Sequence, residues 1–110
     1  MATGFITVLV TVGNAENAAQ LARALVEERL AACGNVIPNL RSIYRWRGEI
    51  HDEGEALLIL KTRAGLFERL RARVAELHSY EVPEIVALEI EAGHGPFLDW
   101  IDDSTFRPDE

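Results

Sequence analysis

Residues Phe5 to Val12 read F-I-T-V-L-V-T-V, and no other run constrains the fold as much. β-Branched and apolar side chains occupy both parities, which marks a strand buried on both sides rather than one with a wet face. Successive side chains of a strand point to opposite faces. Ile6, Val8 and Val10 therefore line one face, and Phe5 and Leu9 the other. The segment Leu57-Leu58-Ile59-Leu60-Lys61-Thr62 is apolar on both faces in the same way. A chain of 110 residues is one domain, residues 1–110, and it has to find two covers for this sheet.

The remaining pattern supplies one of them. Gly13-Asn14 breaks the first strand, and Asn14 can cap a helix with Glu16 in its first turn. Ala18, Leu21, Ala22, Leu25 and Val26 recur at helical spacing, and Cys33-Gly34 reads as the helix end. Asn35-Val36-Ile37 opens a second strand in which Pro38 implies an edge or a bulge, since proline cannot donate to a ladder. That strand resumes through Ser42–Trp46, turns at Arg47-Gly48-Glu49 and returns through an acidic stretch into Leu57–Thr62. Phe67, Leu70, Val74 and Leu77 mark a second amphipathic helix, Ile85–Ile90 a fourth strand, and Pro96–Ile101 a short closing helix with proline near its start. Residues 103–110 read as a polar, frayed tail.

The order is β-α-β-β-α-β, the ferredoxin-like split β-α-β plan of the α+β class: an antiparallel sheet with both helices on one face, plus the closing helix. Two helices cover one side only. The economical cover for the other is a second copy of the chain, and the second strand, carrying Tyr44 and Trp46 at the sheet edge, would be capped by the same association. A homo-oligomer is expected.

Composition narrows the function. A formal net charge of −7 argues against nucleic acid, which requires a basic face. No apolar run is long enough for a membrane span, no charged leader precedes the first strand, and the single cysteine, Cys33, forms no internal disulfide. A cytoplasmic home is expected. Ten arginines stand against the single Lys61. No zinc pair, nucleophile elbow, P-loop or dinucleotide turn occurs, and no enzymatic activity is expected.

The densest chemistry lies in Glu76–Ile85, E-L-H-S-Y-E-V-P-E-I. His78 at the helix exit suits either the helix dipole or a ligand role. Glu84, opening a strand after Pro83, must find a partner or line a cavity. Cys33, beside Ala31 and Ala32, reads first as a small buried hydrophobe, and Lys61 as a strand-end rim charge. His51, Asp52, Glu53 and Glu55 read as a solvated acidic hairpin, and His94 as a turn residue.

Five dispersed segments carry a resemblance: Leu25–Cys33 (L-V-E-E-R-L-A-A-C), Arg41–Glu49 (R-S-I-Y-R-W-R-G-E), Leu60–Thr62, His78–Ile85 and Phe97–Trp100. Together they resemble the CutA family of divalent-cation tolerance proteins, from about Thr11 to Ile101. The resemblance implies a tight homotrimer assembled like the signalling PII proteins, with metal bound near subunit interfaces. It places Cys33, Trp46, Glu49, Lys61, His78, Tyr80 and Glu84 on the family's recurring polar and aromatic positions. The chain departs from the copper-linked members at Val10 and Leu77, which replace a cysteine and a histidine, and at Ser79, which replaces a proline. His78 alone remains of that ligand set.

Two functions follow. In one, a homotrimer binds a divalent metal, copper first and zinc or nickel more weakly, through His78 and Glu84, and serves cytoplasmic metal homeostasis. In the other, a PII-like trimeric sensor or scaffold holds a small polar ligand or a partner's loop in an intersubunit cleft lined by Trp46, Lys61, Tyr80 and Glu84, with Cys33 and Glu49 near it.

Overall fold

The structure is a computed structural model and describes residues 2–107. The chain runs β1 (Phe5–Val12), α1 (Ala15–Glu27), β2 (Cys33–Trp46), β3 (Glu49–Arg63), a 3-10 turn (Ala64–Leu66), α2 (Phe67–Leu77), β4 (Ile85–Glu89) and α3 (Gly95–Ser104). The four strands form one antiparallel sheet in the order β2-β3-β1-β4, with β2 on an edge as expected. The inner face packs Ile6, Val8, Val10, Leu58 and Leu60 against Leu21 and Leu25 of α1 and Leu70 and Val74 of α2. Alternation along β1 is strict: every second residue from Ile6 is buried, and those between are half-buried.

The opposite face is apolar and uncovered by α1 and α2. Register places Ile37, Leu57 and Thr11 in one row, then Asn35, Ile59, Leu9 and Val86, then Cys33, Lys61, Thr7 and Leu88. Val86 is 45% exposed and Leu88 56%. Only the far end of this face carries a helix. Arg63, beside Phe5 in register, pairs with Asp102 and donates from Nε to Thr105 Oγ1 at 2.9 Å, fixing α3 there.

Asn14 caps α1, its Oδ1 accepting from the Asn17 N–H at 2.8 Å. The other end of that helix differs from the expectation. It stops at Glu27, and Cys33 opens β2 instead of closing α1. Arg29 takes a left-handed φ of 60°, Leu30 donates to the Leu25 carbonyl at 2.9 Å and Arg29 to that of Val26 at 3.1 Å. This is a Schellman closure built on arginine where glycine is usual. Gly34 serves a different purpose: a Cβ there would lie 2.9 Å from the Ala22 Cβ, so glycine lets α1 settle directly onto β2.

β2 and β3 are longer than their apolar cores, at 14 and 15 residues, and project as a two-stranded arm. Pro38 does sit in a bulge: the register slips between Ile37 and Leu40, and Asn39 has a φ of 62°. The arm ends in a two-residue turn, Arg47 (φ 51°) and Gly48 (φ 80°), whose twist matches that of paired strands. Arg41 grips Asp52 with two hydrogen bonds of 2.9 and 2.7 Å, holding that carboxyl below the usual carboxylate range.

The tail also differs from the expectation over the residues described. Residues 103 and 104 belong to α3, Thr105 is buried, and the Phe106 N–H donates to the Arg29 carbonyl at 2.8 Å. Residues 108–110 lie outside the described residues.

Candidate functional site

The segment from His78 to Glu84 crosses from α2 to β4 and lies against the arm. His78 caps α2 with an extended backbone (φ −78°, ψ 143°), which ends the helix and turns the chain. Its Nε2 meets the Thr11 carbonyl at 2.7 Å, and its Nδ1 meets the Tyr80 N–H at 3.1 Å. One tautomer satisfies both, with the proton on Nε2 donating to Thr11 and Nδ1 accepting from Tyr80. The Tyr80 ring lies 4.5 Å from the imidazole, and its hydroxyl donates to Glu55 Oε2 at 2.6 Å. At the arm's tip Arg47 pairs with Glu81 at 2.6 Å while its guanidinium lies 5.4 Å from the Trp46 ring centroid.

Between arm and segment lies a groove of about 540 Å³. Tyr44, Trp46 and Tyr80 give it aromatic walls; Glu53, Glu55, Glu81 and Glu84 give it carboxylates. Tyr44 donates to Glu53 Oε2 at 3.1 Å and stacks on His51 with 5.2 Å between centroids. Glu55 is only 8% exposed. The expectation of a solvated Glu55 is thus corrected: its register position opposite Leu40 turns it under Tyr80.

Loss of water around both phenols, followed by the neighbouring carboxylates, pushes their titration up. Burial and then Glu55 raise Tyr80 furthest; burial and then Glu53 raise Tyr44. A phenol with a raised folded pKa contributes stability that is fully present below its unfolded value and is lost as pH rises through the folded one. Tyrosinate absorbance is therefore expected to emerge only above the ordinary tyrosine range of about pH 10, accompanied by falling stability, with Tyr80→Phe removing the later step. Two ordinary titrations in an ultraviolet pH series would contradict the Tyr44 and Tyr80 contacts.

The structure brings Trp46, Tyr80 and Glu84 of the expected site to one groove, with His78 directly behind Tyr80. It does not bring Cys33, Glu49 or Lys61 there. Cys33 and Lys61 face each other across β2 and β3 on the uncovered sheet face, where the Lys61 amine donates to Asn35 Oδ1. Glu49 opposes Trp46 beside the turn without lining the groove. Sequence reasoning passed over Glu53, Glu55 and Tyr44 as site residues. Their signal was present only in the pairing of the arm, which sets Ser42 against Glu53 and Tyr44 against His51.

As a chelate, His78 and Glu84 do not fit within one chain. Both imidazole nitrogens already hold hydrogen bonds, and among the described residues no three His, Cys, Asp or Glu side chains converge on a point that could hold an ion. Nor is any helix of the described residues long and apolar enough to cross a membrane.

The family model for the CutA1 divalent ion tolerance protein matches residues 6–104. Over 98 residues, 89% of this chain and 95% of the relative, the sequence is 53% identical to the divalent-cation tolerance protein CutA of Thermus thermophilus. It is 45% identical over 100 residues to the chloroplastic protein CutA of Arabidopsis thaliana, covering 91% of this chain and 55% of that relative. The chain thus spans about half the length of the plant protein. Among solved structures, CutA1 from Oryza sativa superposes with a TM-score of 0.92 at 40% identity, covering 96% of this chain and 97% of that one. The Thermus thermophilus protein gives 0.89 at 51% identity, covering 93% and 99%. A family match over nearly the whole chain, joined to the same fold at high identity, places this chain in the CutA1 divalent ion tolerance family.

Proposed function

We propose that the protein acts as a homotrimer in cytoplasmic divalent-cation tolerance, attracting the ion through the carboxylates of the groove and completing its coordination between subunits. The observation that carries this reading is that Glu53, Glu55, Glu81 and Glu84 all line one groove, with the Arg47 guanidinium paired to Glu81 beside it. Glu84 pairs with no described residue and is free to ligate. Copper(II) is the first candidate, with zinc and nickel weaker, and the uncovered apolar face is the surface on which the copies meet. The test is a calorimetric titration of wild type, Glu84→Gln and His78→Ala with each ion. Glu84→Gln is expected to weaken binding about tenfold, and His78→Ala to act through the loop it anchors rather than by losing a ligand. Absence of saturable heat with every ion would remove the reading.

A second reading, a PII-like trimeric sensor that holds a small polar ligand in the same groove, is favoured by the aromatic walls, which a bare metal ion does not use. Lys61 lies outside the groove, so the ligand suited to it is cationic rather than anionic.

A further inference from the structure

We infer that the groove between the arm and the His78–Glu84 segment binds a small organic cation, a molecule bearing a guanidinium or alkylammonium group. The inference rests on the second reading above, that the groove takes a ligand, and supplies its chemical class. Three observations carry it.

First, Glu55 is a buried carboxylate without a counter-charge. It is 8% exposed, it lines the groove, and its one bond is from the Tyr80 hydroxyl at 2.6 Å. Among the described residues it has no cationic partner. A phenol donor satisfies one oxygen but brings no positive charge, and buried carboxylates are normally paired with one. The groove, which Glu55 lines, is open to a molecule that supplies the missing charge.

Second, the walls have the chemistry that discriminates organic from metal cations. Aromatic faces attract guanidinium and ammonium groups through the ring quadrupole. Tyr44, Trp46 and Tyr80 line the same space as Glu53, Glu55 and Glu84, and the Tyr44 and Tyr80 hydroxyls donate to Glu53 and Glu55. A volume of about 540 Å³ is that of a small-molecule site rather than an ion cage.

Third, the chain displays this recognition mode at the rim of the same groove. The Arg47 guanidinium holds the Glu81 carboxylate at 2.6 Å and lies over the Trp46 indole at 5.4 Å. A second cation deeper in the groove would meet Glu55 and Glu53 with the Tyr80 and Tyr44 rings in the corresponding roles.

The probe is agmatine, which carries a guanidinium at one end and an ammonium at the other, titrated calorimetrically into the intact protein. Saturable binding is expected, weakened about tenfold or more by Glu55→Gln, which removes the buried charge, and about fivefold by Trp46→Leu. Glu28→Gln, which alters an ion pair with Arg73 between the helices, is expected to leave it unchanged. Glu53→Gln, at an exposed position, reports on the groove without risk to the fold and is expected to weaken binding severalfold. No saturable heat at millimolar agmatine in wild type would overturn the inference, as would wild-type affinity in both folded variants, Glu55→Gln and Glu53→Gln. Zinc or copper binding with agmatine inert would refute it while leaving the metal reading intact. Agmatine binding with every metal inert would support it and remove the metal reading instead.

Discussion

Leu58→Ala is expected to lower the free energy of unfolding by an amount in the upper half of the range of about 2–5 kcal/mol found when buried leucines are cut to alanine. Leu58 is fully buried at the centre of β3, with Val10 opposite it on β1 and Val36 on β2. The cost of such a cavity depends on how far the surroundings collapse into it, and here they cannot move far. β1 flanks it by uninterrupted pairing and β2 pairs directly at Val36, and α1 already sits as close as Gly34 allows, with the position of a Cβ at that glycine 3.2 Å from Leu58 Cδ1. Denaturant midpoints at a fixed protein concentration measure the loss, since the proposed association would add its own concentration-dependent stability. A change below about 1 kcal/mol would show that the inner face repacks freely, against the rigidity argued from Gly34.

Val86→Asp is expected to convert the proposed trimer to single chains while leaving each chain folded. Val86 lies beside Leu9 on the uncovered face and is 45% exposed, so a carboxylate there remains hydrated in an isolated chain. Covered by another copy it becomes a buried charge without a partner, a penalty of several kcal/mol at each of the equivalent contacts. Light scattering should therefore move from three chain masses to one, with circular dichroism unchanged. A variant that keeps the wild-type mass would place the contact between copies elsewhere.

Much of this architecture was legible in the sequence because periodicity reports burial directly. The F-I-T-V-L-V-T-V run, the helical spacing of Leu21 and Leu25, and Pro38 as the mark of a bulge all correspond to what is seen. The end of α1 was hidden because Arg29, not a glycine, takes the left-handed position, and nothing in the residue type announces it. The strand Ser42–Trp46 and its turn at Arg47-Gly48 were legible as a hairpin, but the contacts that its outer half makes were hidden because that half lacks alternating apolar residues. Its pairing rests on polar cross-strand contacts such as Arg41–Asp52 and Tyr44–His51, which appear only once register is known.

The candidate site divides along the same line. Trp46, Tyr80 and Glu84 stand out by residue type and by family resemblance, whereas Glu55 sits inside a run, His51–Glu55, that reads as wet. Only the meeting of a residue from the arm with one from a distant segment, Tyr80 over Glu55, turns that carboxylate into a buried charge. Cys33 and Lys61 illustrate the converse. They lie close to each other and far from the groove, because β2 and β3 pair on both sides of the Pro38 bulge and carry these two residues to the opposite end of the hairpin from Trp46.

The two-residue turn at Arg47-Gly48 also sets an order of assembly. Chain segments joined by a short loop lose little entropy on meeting, whereas β1 and β4 must find each other across most of the chain. The arm can zip from its tip toward Cys33 as a local event, whereas β4 reaches the sheet only through β1, at the edge farthest from the arm. The strand that finishes the sheet is therefore the one carrying Val86 and Leu88, so a half-folded chain has the aromatic arm in place and no complete surface on which a neighbour could settle. In the proposed assembly, association is therefore expected to follow folding, with the pairing of β4 as the slower event.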